Sequence, residues 1–180
     1  MDIHITWYPP LPLSGGNPAD LRYTVDGIEA WEDCPGVYMF CCWDHESLIP
    51  LYIGRAKNMY AQIRQHLETT TLMRRIANGA QGERVLMLGE YRPQSGQSSD
   101  KALAMVEQAL IALAFAEGYA VLNTAGTKTH RVARRCRHRP APSERRMRLS
   151  PHAAQASPTS WKGRGRMTLT IGLRSDLTSL

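Results

Sequence analysis

The sequence contains no run of eighteen apolar residues, which excludes a membrane-spanning helix. Its first sixteen residues, MDIHITWYPPLPLSGG, lack a basic region and a long apolar stretch, so no secretory signal is expected. No CxxC pair occurs, and no His/Cys spacing matches a zinc site. The four cysteines, Cys34, Cys41, Cys42 and Cys136, are therefore read as free thiols in a reducing cytoplasm. Adjacent Cys41 and Cys42 on one strand should point to opposite faces of a sheet. Internal repeats are absent, and no second folded domain is visible.

Acidic residues are scarce in one part only. Residues 128–180 hold 13 Lys/Arg against 2 Asp/Glu, a net +11, whereas residues 1–127 hold 9 against 14, a net −5. The basic pI thus belongs to the C-terminal part. The segment RVARRCRHRPAPSERRMR, Arg131 to Arg148, has the composition of a phosphate-contacting segment and also of a solvated tail.

What is present is a compact set of α and β signals. Residues 1–33, rich in Pro, Gly and Asp, read as an irregular arm or a small edge element. GVYMFCCW, Gly36 to Trp43, reads as a buried strand, and LIPLYIG, Leu48 to Gly54, returns beside it as a hairpin, with Pro50 marking a bulge or a frayed start. Asn58 is placed to cap a helix running to about Glu68, with Met59, Tyr60, Ile63 and Leu67 at helical spacing. TLMRRIANG predicts a short second helix stopped by Gly79, and ERVLMLGEY, Glu83 to Tyr91, a third strand. DKALAMVEQALIALAFAEG predicts the longest helix, capped by Ser99 or Asp100, before a short extended YAVLN. The order gives an α+β domain over residues 34–126, with a three-stranded, mostly antiparallel sheet flanked by helices. Residues 127–180 are read as a basic, disordered tail. MTLTIGL, Met167 to Leu173, alternates like a strand but stands isolated and is left outside the core.

Three groups of residues invite chemistry. Glu107 has Leu103, Ala104, Leu110 and Ile111 as its helical neighbours, so its carboxylate belongs to an apolar face. Such a group is costly unless paired, bound to a metal, or reaching solvent past small alanines. Tyr38 and Tyr52 lie on consecutive strands of one hairpin, within cross-strand reach, although tyrosine is also a common strand residue. Gly54 ends the second strand just before a helix, where backbone amides favour an anion. On that helix Asn58, Gln62 and His66 share one side, while Arg64 lies about 200° from Gln62 and faces away.

Together these residues resemble the GIY-YIG nuclease family. The first motif is Gly36-Val37-Tyr38 and the second Tyr52-Ile53-Gly54. The RAKN that follows, His66 on the first helix, Glu107 in an apolar helix and Asn123 soon after it complete the pattern over roughly residues 34–126. The resemblance implies a small α/β sandwich on a three-stranded antiparallel sheet. It also implies endonucleolytic hydrolysis of DNA phosphodiesters with one divalent ion, Mg²⁺ or Mn²⁺. Glu107 would be the metal ligand. Tyr38 and Tyr52 would lie beside the attacking water and the scissile phosphate, with one of them helping to deprotonate the nucleophile. Asn123 would help shape the pocket. From its place on the helix, His66 reads as a base, a phosphate contact or a surface residue. Gly54, Arg55, Gln62 and Arg64 are the candidate phosphate contacts, and DNA is the expected partner, held by Arg131–Arg148.

One position departs from the family pattern. The arginine usual ten residues after the second-motif tyrosine is Gln62 here. Glutamine can hydrogen-bond a phosphate oxygen but cannot neutralise charge. Arg55, just before the helix, is a cation able to swing in. A weakened endonuclease is the first expectation, and a catalytically impaired nucleic-acid-binding protein of the same fold the second. A small interaction domain without a nucleic-acid role is a third, resting on the acidic residues 1–127.

Overall fold

The hairpin read from the sequence forms, and it sits in a sheet wider than three strands. The computed structural model describes residues 2–17, 20–44, 47–93, 98–123 and 167–172. Eight strands and three helices follow one another as β1 (Asp2–Trp7), β2 (Leu11–Pro12), β3 (Ser14–Asn17), β4 (Asp20–Thr24), β5 (Gly36–Trp43), β6 (Leu48–Ala56), α1 (Met59–Glu68), α2 (Thr70–Ala77), β7 (Glu83–Tyr91), α3 (Ser99–Ala116) and β8 (Met167–Gly172), with a 3₁₀ turn at Ile28–Trp31. The described residues are α+β, with an antiparallel sheet and three helices. The main sheet has six strands in the order β6-β5-β7-β1-β8, with β2 also pairing to β7, and β3 pairs with β4 separately.

Two expectations are corrected. Residues 1–33 are neither an irregular arm nor a small edge element, because β1 pairs antiparallel with β7 through Ile5↔Tyr91 and Trp7↔Gly89 and lies inside the sheet, with β8 on its other side. Its alternation places Ile3, Ile5 and Trp7 in the core, at 0%, 0% and 4% exposure, which at about 1.5–3 kcal/mol per large buried side chain outweighs the Pro- and Gly-rich surroundings. Met167–Gly172 is not isolated either. It forms β8 on the far side of β1, from Asp2↔Gly172 to Trp7↔Met167. The basic run Arg131–Arg148 lies outside the described residues, but the chain that follows it returns to the sheet.

The strands of the hairpin are buried on both sides. Tyr38, Phe40 and Cys42 face one layer with Met59 and Ile63 of α1 and Met73 and Ile76 of α2. Val37 and Cys41 face the other, against Ala102, Leu103 and Val106 of α3. Cys41 and Cys42 thus diverge as strand geometry requires, and both are free thiols. Between Phe40↔Tyr52 and Cys41↔Pro50 the register shifts, leaving Leu51 as the extra residue of a bulge beside Pro50. The bulge breaks the alternation, so Leu51 and Tyr52 both pack on the α1 side while Ile53 packs with Ile111 and Ala114 of α3.

Arg84 ties α2 to the sheet. Its Nε and Nη2 donate to the carbonyls of Ile76 and Ala77, both at 2.9 Å, and Nη1 to Gly82 O at 2.7 Å and Cys42 Sγ at 3.1 Å. A cation on the last carbonyls of a helix satisfies acceptors the helix leaves open. Replacing Arg84 by Met removes these donors while keeping the stem. The expected loss is about 1.5–3 kcal/mol in urea denaturation, the range for hydrogen bonds to a charged group. An unchanged midpoint would show that water replaces the guanidinium at no cost.

Candidate active site

Cross-strand register explains the paired motifs. Tyr38 stands opposite Gly54, Gly36 opposite Ala56, and Phe40 opposite Tyr52. A Cβ at Gly54 would lie 2.5 Å from both Cζ and Oη of Tyr38, so the second-motif glycine is the floor on which the first-motif tyrosine rests. Gly36 is equally confined, since a Cβ there would meet Gly89 O and come within 2.8 Å of Met59 Sδ at the start of α1. Each glycine therefore admits a neighbour that the cleft requires.

Tyr38 is almost fully buried, at 1% exposure, and is surrounded by rings. Tyr52, His66 and Phe40 lie 6.4, 5.8 and 6.1 Å from it between centroids, and Tyr52 and His66 lie 5.2 Å apart. The Tyr38 and Tyr52 hydroxyls interact by hydrogen bonding. Burial holds the Tyr38 phenol protonated far above its ordinary range, with Tyr52 and Glu107 adding to the shift. Tyr52 is also raised, by burial and then Glu107, but the hydrogen bond with Tyr38 opposes this. Tyr52 is half-buried and turns to the cleft.

Helix α1 supplies the next wall. Asn58 is its cap, with Oδ1 accepting from Ala61 N at 2.8 Å and Nδ2 donating to Asp33 at 3.2 Å. One and two turns on, Gln62 and His66 reach the same cleft, with Gln62 Nε2 3.3 Å from His66 Nε2. Burial lowers the His66 pKa, favouring the neutral ring. With its proton on Nδ1, Nε2 accepts from the Gln62 amide. Arg64 turns away, as the helical spacing predicts. It binds the Tyr60 hydroxyl at 3.3 Å and Glu68 at 3.5 Å, and it is not part of the cleft wall. Its candidacy as a phosphate contact is thus corrected by its helical phase.

Helix α3 closes the opposite side. Glu107 lines the cleft with its side chain 24% exposed, and its Oε2 accepts from Arg55 Nε at 3.0 Å. The apolar face of α3 thus carries its carboxylate at the point where β6 ends and the layer opens. Burial raises the Glu107 pKa, and Arg55 offsets this only in part. Arg55 needs no swing to reach the site, because strand alternation past Gly54 turns it to the α3 side.

Asn123 has a role the sequence did not indicate. It is not in the cleft wall. Its Oδ1 accepts from Ile53 N at 2.8 Å and its Nδ2 donates to Ile53 O, while Leu122 N bonds Leu51 O at 2.7 Å. The side-chain amide thus pairs with the open edge of β6 like another strand, fixing the residue between Tyr52 and Gly54. A second pair, Lys57 and Asp100 at 2.7 Å, also lines the cleft. From sequence, Asp100 reads only as one of two candidate helix caps, and no local signal joins it to Lys57.

The result is a cleft of about 600 Å³ wrapped around the end of edge strand β6. Tyr38, Tyr52, Gly54, Arg55, Gln62, His66 and Glu107 meet there. Among the described residues no three His, Cys, Asp or Glu converge to cage a metal ion. A single carboxylate with neighbouring hydroxyls in an open cleft does suit Mg²⁺ or Mn²⁺. Magnesium keeps several waters and commonly takes only one or two protein carboxylates plus substrate phosphate. The donor set fits such an ion and does not fit structural zinc. No helix among the described residues is long and apolar enough to cross a membrane. Comparison with protein-family models, curated proteins and solved structures finds no match for this chain.

Proposed function

We propose that the chain is a GIY-YIG-type endonuclease that hydrolyses DNA phosphodiester bonds with one divalent ion. The observation that carries this reading is the register of the two motifs. Tyr38 rests on Gly54 across the hairpin, and this brings both tyrosines, His66 and the half-buried Glu107 to one cleft. The strand order β6-β5-β7 within the wider sheet suits the three-stranded core expected of that family. Free, buried cysteines suit a cytoplasmic setting.

In this reading Glu107 holds the ion, with Tyr52 alongside. The bound cation supplies Lewis acidity, neutralising phosphate charge and lowering the pKa of an attacking water. The protein's own residues do the rest by position. The buried Tyr38 backs Tyr52, whose hydroxyl faces the cleft and would hydrogen-bond the attacking water. Neutral His66 packs on both rings and accepts from Gln62, fixing the ring edge that faces the substrate. Arg55 offers the phosphate its positive contact. The test is incubation of end-labelled DNA with the full chain. Mg²⁺ or Mn²⁺ should support cutting that EDTA stops, and intact DNA under all conditions would count against hydrolysis.

A second reading is favoured by one observation. Gln62 is neutral and engaged with His66, so α1 brings no fixed cation to the cleft. A phosphodiester would then bind without being cut, and the chain would be a nucleic-acid-binding member of the fold.

Binding in either reading draws on the segment Arg131–Arg148. Truncation at residue 128 would also remove β8, so charge should be changed without shortening the chain. Replacing the eight arginines of Arg131–Arg148 with serine should lower DNA affinity and flatten its salt dependence. The log–log slope should fall by up to about 7 if each contacts a duplex phosphate, at roughly 0.9 per contact. A slope identical to that of the native chain would remove this segment from the interface.

A further inference from the structure

The cleft carries two cations and two carboxylates, and they are already matched. Lys57 pairs with Asp100 at 2.7 Å, and Arg55 with Glu107 at 3.0 Å. The other polar residues of its wall, including Asn58, Gln62, Gln65 and His66, bring no fixed charge. A site meant for a dication and a phosphate therefore presents neither ligand with an unmatched opposite charge. Whichever ligand arrives alone must separate a pair.

We infer that the Arg55–Glu107 ion pair is an exchange latch that couples cation binding to phosphate binding. A dication on Glu107 takes over the carboxylate's charge and repels the guanidinium, releasing Arg55. The Arg55 side chain is 39% exposed and sits near the end of an edge strand in the cleft wall, so once freed from Glu107 it can reorient within the cleft without moving the core. There it meets the phosphate from the side on which Gln62 has no charge to give. Conversely, an anion that draws Arg55 away leaves Glu107 open for the cation. The pair is broken once for two ligands, so each binds more tightly in the presence of the other, and the coupling is equal in both directions. This rests on the reading of the cleft as a cation-assisted phosphodiester site.

The experiment uses Mn²⁺ as cation and sulfate as a tetrahedral dianion, with ionic strength held constant by chloride. Mn²⁺ binding to the full chain is followed by the loss of its free-ion paramagnetic resonance signal, so no turnover is needed. In the native chain sulfate should tighten Mn²⁺ binding about tenfold, within the ~5–150-fold typical of coupled sites. Arg55→Met should bind Mn²⁺ at least as tightly as the native chain without sulfate, and sulfate should then have no effect. Arg55→Lys should restore part of the coupling, which a merely structural role for the stem would not. Glu107→Gln should lose the Mn²⁺ site. Circular dichroism confirms that each variant is folded. Weaker Mn²⁺ binding by Arg55→Met, or an undiminished sulfate effect in it, overturns the latch while leaving the cation site standing. Absence of Mn²⁺ binding in the native chain, with or without sulfate, overturns both.

Discussion

Gly54→Ala should lose nearly all cleavage and part of its stability, although it adds one methyl group. The new Cβ would fall 2.5 Å from Cζ and Oη of Tyr38. The ring has no room to retreat, since Tyr38 is 1% exposed and bordered by Phe40, Tyr52 and His66. Either the ring tilts into those neighbours or β5 and β6 part. Overpacking of this kind costs about 1–3 kcal/mol. The chemical penalty is larger, because a displacement of about 1 Å at a reacting centre costs on the order of 10²-fold in rate. Thermal melting and single-turnover cleavage on the same preparation read both effects. A variant with native melting and native rate would mean that Tyr38 does not depend on the second-motif glycine.

Gln62→Arg should raise the cleavage rate about 10²-fold, the lower end of what one fixed donor contributes at a transition state. The lower end applies because Arg55 already brings a guanidinium to the cleft. Gln62 lines the cleft on the face of α1 opposite Arg64, so a longer cationic side chain at this position enters the site. The substitution also separates the two functional readings. A native chain that binds DNA uncut, beside a Gln62→Arg variant that cuts it, identifies a nuclease scaffold silenced at one residue. Equal rates would mean that charge at this position is irrelevant to the reaction.

The local fold was legible where periodicity and punctuation agreed. Gly36–Trp43 and Glu83–Tyr91 form the strands expected, and Asn58 caps α1 through its side chain as its type and position indicated. Pro50 marked the bulge correctly. The sheet's width was not legible, although the alternation was present in both missing strands. Ile3, Ile5 and Trp7 alternate, as does Met167–Gly172, but their pairing partners are remote in sequence and strand register is a tertiary choice. Short windows show a strand without showing what it pairs with.

The candidate site was legible in its residue types more than in its connections. The two tyrosines, His66 and Glu107 could be listed from motif and helical phase, and Arg64 could be placed on the far face by the same phase. The Arg55–Glu107 and Lys57–Asp100 pairs could not, since each joins residues more than forty positions apart. Asn123 shows the limit most clearly. The family resemblance implies a residue that shapes the pocket, but a carboxamide carries the same donor and acceptor as a peptide group, and here it serves as one for an unpaired strand edge.

The most direct measurement is cleavage of labelled DNA in Mn²⁺ by the native chain and by Glu107→Gln. Glutamine keeps the size of the side chain, and the Arg55 it leaves is exposed enough to find water. The two proteins should therefore melt alike. The account predicts Mn²⁺-dependent cutting by the native chain and a loss of about 10²–10³-fold or more in the folded variant. Equal cutting by both would contradict it, because the carboxylate on the apolar face of α3 would then have no part in the reaction.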